Sequence, residues 1–132
     1  MVSAGEDFPL SEFGSRDSAA SEAVGYGKSL MLFHMARRSV GDDAFLAALS
    51  LFDREHRFTR ASFSDLADAF TDETGGDWVP FIKEWVERAG APRLEIHESR
   101  VEEGAPGEAP WRVAIHLRQI QEEEPYPLTV PV

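Results

Sequence analysis

The chain has 132 residues, a length that suits one modest hydrophobic core and falls short of two full domains. Its 13 lysines and arginines face 24 aspartates and glutamates, and the resulting charge of −11 repels phosphate backbones and anionic lipid, arguing against nucleic acid and membrane surfaces as partners. The lack of cysteine excludes disulfides, thiolate zinc sites, iron–sulfur clusters and thiol nucleophiles, and leaves the redox compartment open.

Residues 1–19 are polar and turn-rich, with Pro9, Gly14 and several serines, and read as an irregular arm. Its first 13 residues hold no apolar segment behind a basic head, so no signal peptide is expected. The longest helical apolar run, residues 30–33, is far too short to span a bilayer. A soluble chain of undetermined compartment is the expectation.

Residues 20–39 turn helical. Leu30, Met31, Leu32, Phe33 and Met35 leave little polar face, which predicts a helix buried on most sides. Arg37 and Arg38 suit its C-terminal end and Gly41 a left-handed cap. A second helix starts at Asp42 or Asp43, with Phe45, Leu49 and Phe52 at i, i+4, i+7, and frays near Arg54 to Arg57. Ser62 and Asp65 form a capping-box variant ahead of Phe63, Leu66, Ala67 and Phe70, and Gly75-Gly76 closes that third helix. Asp77 caps a fourth, carrying Trp78, Phe81, Ile82 and Trp85, with Pro80 in the first turn and Gly90 as the stop.

After Pro92 the apolar period falls to two. Leu94 and Ile96 alternate with Glu95 and His97, and Trp111, Val113, Ile115 and Leu117 alternate with polar residues as a half-buried strand. The polar loop of residues 102–110 makes the pair an antiparallel hairpin, and Leu128, Val130 and Val132 begin a third strand. The expected fold is therefore α+β, a four-helix subdomain followed by an incomplete antiparallel sheet fragment. Its domains are an arm (1–19), a helical part (20–92) and a truncated β part (93–132). The apolar sheet face must lie on the helices, on another copy through edge pairing, or on further sequence.

Residue chemistry by itself offers little. GxSxG, P-loop, GxGxxG and HExxH patterns are all absent. His97 and His116 are read as solvated strand histidines and not as metal ligands, and His34 as a hydrogen-bonded core residue. The run Glu122-Glu123-Glu124 is a solvated loop. No metal is expected in this chain. The exception is the tetrapeptide Gly25-Tyr26-Gly27-Lys28, with two glycines where helix propensity avoids them. One reading is a loosely wound helical turn with Tyr26 as a packing residue. The other is that Gly25 and Gly27 let substrate approach the backbone while the Tyr26 hydroxyl points into a cleft.

A resemblance bears on that choice. The run VGYGKSLMLFHM from Val24 resembles the segment after the zinc site in aminopeptidase N-like zinc metallopeptidases, the gluzincin aminopeptidases. The likeness continues through VGDDAF from Val40, FTRASFSDL from Phe58 and WVERAGAP from Trp85. It ends in LRQIQ from Leu117 and PYPLTVPV from Pro125, which look like the opening strands of the β-domain that follows in that family.

The resemblance implies a zinc-dependent hydrolase that removes N-terminal residues from peptide substrates. There HExxH and a later Glu hold zinc, and a tyrosine hydroxyl stabilises the oxyanion of the tetrahedral intermediate. Tyr26 corresponds to that tyrosine. Both zinc-binding elements are absent here, so the resemblance implies a cleft-wall piece that is inactive alone, zinc belonging to the intact enzyme. The alternative is a non-enzymatic helical and β interaction module derived from such an enzyme.

Overall fold

Two serines set the start of the first helix. In the computed structural model, which describes residues 6–104 and 109–130, the Ser18 hydroxyl accepts from the Ser21 amide at 3.0 Å while Ser21 Oγ accepts from the Ser18 amide at 2.8 Å. This reciprocal capping box satisfies donors that a helix N-terminus leaves orphaned. The helical path then runs as α1 (Ala19–Glu22), a π-helical segment (Ala23–Lys28) and α2 (Ser29–Val40). Gly41, at φ +83°, ends α2 by donating its amide to the Arg37 carbonyl, and α3 (Asp42–His56) begins at once. Arg37 spans the corner with a bidentate ion pair to Asp42 at 2.7 Å, which holds the Asp42 carboxyl below its usual range.

The second reciprocal box starts α4 (Phe63–Thr74). The Asp65 carboxylate accepts from the Ser62 amide at 2.7 Å, and the Ser62 hydroxyl accepts from the Asp65 amide. Gly75 closes α4 in the left-handed region at φ +71°. Thr71 and Thr74 then tie the corner into α5 (Val79–Glu87): Thr71 Oγ1 accepts from the Trp78 amide and Thr74 Oγ1 from the indole N–H at 2.8 Å. Asp77 Oδ1 accepts from the Val79 amide at 3.1 Å, and Pro80 sits in the first turn, where it displaces no hydrogen bond.

A chain of ring contacts links α2 to α5. Phe33 meets Phe45, Phe45 meets Phe70 at 5.8 Å, Phe70 meets Trp78 at 5.0 Å, and Trp78 meets Phe81. Phe70 is the largest fully buried side chain, and its burial contributes on the order of 1.5–3 kcal/mol. The arm is not wholly irregular. Leu10–Glu12 form a 3-10 turn with Leu10 buried, and this turn contacts α5 and the π-helical segment. Met1 to Gly5 lie outside the described residues.

The helix of residues 20–39 is less buried than its sequence suggests. Leu32 and Ala36, one turn apart, are its buried α2 positions, whereas Leu30, Met31 and His34 are exposed. His34 is therefore not a core residue. An apolar side chain is buried only where another element covers it, and α3 covers one side of α2.

Chain contacts divide into two compact units, Met1–Gly90 and Ala91–Val132, in place of the single core that length suggests. The second contains a two-stranded antiparallel sheet, β1 (Leu94–Glu103) and β2 (Trp111–Gln119). The Gly104 amide donates to the Pro110 carbonyl at 3.0 Å and closes the connection, within which residues 105–108 lie outside those described. A bulge between Ile96 and Glu98 breaks the register. The third strand does not form among the described residues: 120–130 carry no strand, and Val132 is not described. There Gln119 does the pairing, exchanging hydrogen bonds of 2.7 and 2.9 Å with the backbone of Tyr126. The strand read as half-buried is in fact open: Trp111, Val113 and Ile115 are all exposed.

Candidate functional site

Gly25, Tyr26 and Gly27 lie in the π-helical segment, six residues wound more widely than the helices on either side. Wide turns of this kind often mark functional positions. The Ser29 hydroxyl donates to the Gly25 carbonyl at 2.6 Å, four residues back. The Lys28 ammonium reaches the carbonyl of Arg88 at the C-terminal end of α5, satisfying an acceptor that the helix leaves open. Burial pushes the Lys28 ammonium below its ordinary pKa, Asp7 opposes that shift, and Arg88 adds to it.

The three predicted site residues sit in different surroundings. Tyr26 is 59% exposed, its ring meets Phe13 edge-on at 6.0 Å, and its hydroxyl has no hydrogen-bond partner among the described residues. Gly25 is packed: a Cβ there would stand 2.2 Å from the Phe13 ring. Packing within this unit thus accounts for the missing side chain at Gly25 without any substrate. Gly27 is open, with nothing within 4 Å of a Cβ built on it. The loosely wound turn expected here is present, but Tyr26 is not a buried packing residue. Sequence reasoning missed Phe13, whose only signal is its i+3 spacing from Leu10.

Toward α2 the exposed surface continues from Tyr26 through Leu30, Met31 and His34. The described residues also line cavities away from Tyr26. One, about 660 Å³, is an open groove along α3 between Leu46, Leu49, Asp53, Arg54 and Arg57. Another, about 410 Å³, lies on the hairpin among Glu98, Arg100, Glu102 and His116. His97 and His116 meet edge-on at 5.4 Å. Among the described residues no group of three or more His, Cys, Asp or Glu could hold a metal ion. Among the described residues, too, no helix is long and apolar enough to cross a membrane.

The α+β architecture, with an exposed tyrosine on a widened helical turn, defines a helical subdomain followed by a β fragment. Over about half its length the chain is similar to aminopeptidases of the N type. It is 34% identical over 70 residues to aminopeptidase N of Lactococcus lactis subsp. lactis, covering 53% of this chain and 8% of that protein. It is 28% identical over 79 residues to alanine/arginine aminopeptidase of Saccharomyces cerevisiae, covering 60% and 9%. With aminopeptidase M1 of Arabidopsis thaliana the match is 26% over 106 residues, covering 73% and 12%. The chain spans about a tenth of the length of these curated relatives. No family model and no solved structure matches it.

Proposed function

We propose that this chain works as part of a zinc-dependent aminopeptidase acting on peptide N-termini, and that its own contribution is the Tyr26 hydroxyl. The observation that carries the reading is the match to several aminopeptidases, together with a phenol left exposed, with no hydrogen-bond partner among the described residues, on a widened turn. As a peptide carbonyl becomes tetrahedral its oxygen gains negative charge. A phenol held beside that oxygen donates a hydrogen bond that strengthens as the charge develops, so it lowers the barrier more than it tightens ground-state binding. Removing one such donor costs about 2.7–4 kcal/mol of barrier.

Gly27, open on its Cβ side, leaves room for substrate backbone beside Tyr26. Gly25 serves the site indirectly, by letting the Phe13 ring seat against the turn that carries Tyr26. Zinc would be held by other parts of the enzyme, and this chain alone is inactive.

The test has two arms. Purified chain incubated with zinc and dialysed should keep no stoichiometric metal by elemental analysis and should not release chromophore from aminoacyl p-nitroanilides. Residues 24–92, placed in the Lactococcus enzyme in place of its matching segment, should restore hydrolysis there. A folded, zinc-loaded chimaera without activity would count against the assignment.

A further inference from the structure

We propose that Lys28 is the positioning residue for Tyr26, a side-chain strut from the widened turn to the C-terminal end of α5 that fixes where the phenol hydroxyl stands. The inference rests on the role proposed above for Tyr26 and adds the group that holds it in place. Tyr26 lies midway along the π-helical segment, between Val24, which is buried, and Lys28, the segment's last residue. Gly25 and Gly27 flank the tyrosine and give its backbone more freedom than any other residue type would. A donor that must meet a developing charge within a fraction of an ångström needs that backbone held from outside the turn.

Lys28 supplies the hold. Its ammonium donates to the Arg88 carbonyl, sixty residues further along the chain. Arg88 is the C-cap of α5, where carbonyls lack helical partners and carry the negative end of the helix dipole, so a cation is favoured there. The helix is a firm post: Ile82, Trp85 and Val86 are buried, and Glu84 pairs with the Arg88 guanidinium. A surface lysine keeps its ammonium in water. Lys28 instead gives up part of that hydration, with the Asp7 carboxylate of the arm supporting its charge.

The residue type agrees with a strut. Of the 13 basic residues only Lys28 and Lys83 are lysine. A guanidinium spreads five donors over a rigid fork that a single carbonyl cannot occupy, whereas an ammonium on a flexible stem aims one N–H at one acceptor. Apolar packing alone would be met by leucine or methionine, which offer the carbonyl no donor. The Ser29 hydroxyl on the Gly25 carbonyl and the Phe13 ring against Gly25 steady the turn locally. Lys28 ties it to a separate helix.

Two measurements test this. The first needs no catalysis. In the full chain, Lys28→Met should speed amide hydrogen exchange across residues 23–28 by about tenfold, the effect of losing one hydrogen bond from a charged donor, while α3 and α4 keep their parent rates. The chain has no cysteine, so Lys28→Cys can be aminoethylated selectively to restore an ammonium of similar reach. That product should recover the parent exchange, and the carbamidomethylated one should not. The second measurement uses the chimaera with the Lactococcus enzyme. Lys28→Met should lower its kcat by about 10–10² with KM nearly unaltered, as misplacing a catalytic group does. In the Tyr26→Phe background the same change should have no further effect, because the strut acts only through the hydroxyl. Unchanged exchange in Lys28→Met, faster exchange throughout the helices, or an equal loss of kcat with and without the hydroxyl would each overturn the strut alone. A Tyr26→Phe chimaera as active as its parent would overturn the role of Tyr26 itself, and with it the purpose of the strut.

Discussion

The Phe13 ring occupies the space that a side chain at position 25 would need: a Cβ on Gly25 would lie 2.2 Å from it. One contact thus joins the N-terminal arm to the turn that presents Tyr26, whose ring also meets Phe13. Gly25→Ala should destabilise the helical unit by about 1–3 kcal/mol, the usual cost of overpacking. Phe13→Ala in the same chain should relieve most of that penalty. A double-mutant cycle by urea unfolding checks this, and additive effects would remove the contact from the account of Gly25.

Tyr26→Phe separates chemistry from packing, since it deletes only a hydroxyl that has no partner among the described residues. Stability should change by less than about 0.5 kcal/mol, as for surface substitutions elsewhere. In the aminopeptidase chimaera kcat should fall by about 10²–10³ with KM nearly unaltered, the signature of a donor used in the transition state. Steady-state kinetics at matched zinc content make the comparison. Equal kcat values would leave Tyr26 with a packing contact and no catalytic role.

The capping box at Ser62 and Asp65 has a pH sign. The hydroxyl and then the amide of Ser62 hold the Asp65 carboxyl below its ordinary value of 3.8. A depressed carboxylate stabilises the fold above its unfolded pKa, and that contribution disappears as pH falls through the folded value. Helicity should therefore be lost more steeply below pH 3.8 in the parent than in Asp65→Asn, which lacks the titrating group. Ser62→Ala should cost about 1 kcal/mol at neutral pH. Acid titrations followed by circular dichroism, with thermal melts at neutral pH, measure both.

Phe58 is fully exposed and holds φ at +64°, the one non-glycine residue with positive φ among those described. The turn after α3 imposes this, with the Thr59 amide and hydroxyl both donating to the His56 carbonyl. A side chain in that region costs about 1–2 kcal/mol, and glycine gives back about 0.5–1 in unfolded-state entropy. Phe58→Gly should raise the unfolding free energy by about 0.5–1 kcal/mol, the difference between those terms. A lower melting temperature would show that the phenyl ring contributes to the folded state.

What the amino-acid order determined by itself is local. The helix at Ser62, its stop at Gly75, Pro80 in a first turn and the strand period after Pro92 each depend on neighbours within a few residues, whereas the left-handed cap expected at Gly41 (φ +83°, ψ 170°) formed instead at Gly75. Backbone geometry and capping chemistry decide such features before any tertiary contact exists. The widening at Ala23–Lys28 was legible only as two misplaced glycines, and the reason for one of them, Phe13, lies twelve residues away on the arm. Burial was decided by tertiary structure alone. His34, Leu30 and Met31 carry a core-like pattern yet face water, because periodicity says which residues share a face but not whether another element covers it. The bulge at His97 makes the same point in the sheet: register belongs to the pairing of two strands, and it is that pairing which gathers the hairpin's apolar residues onto one side.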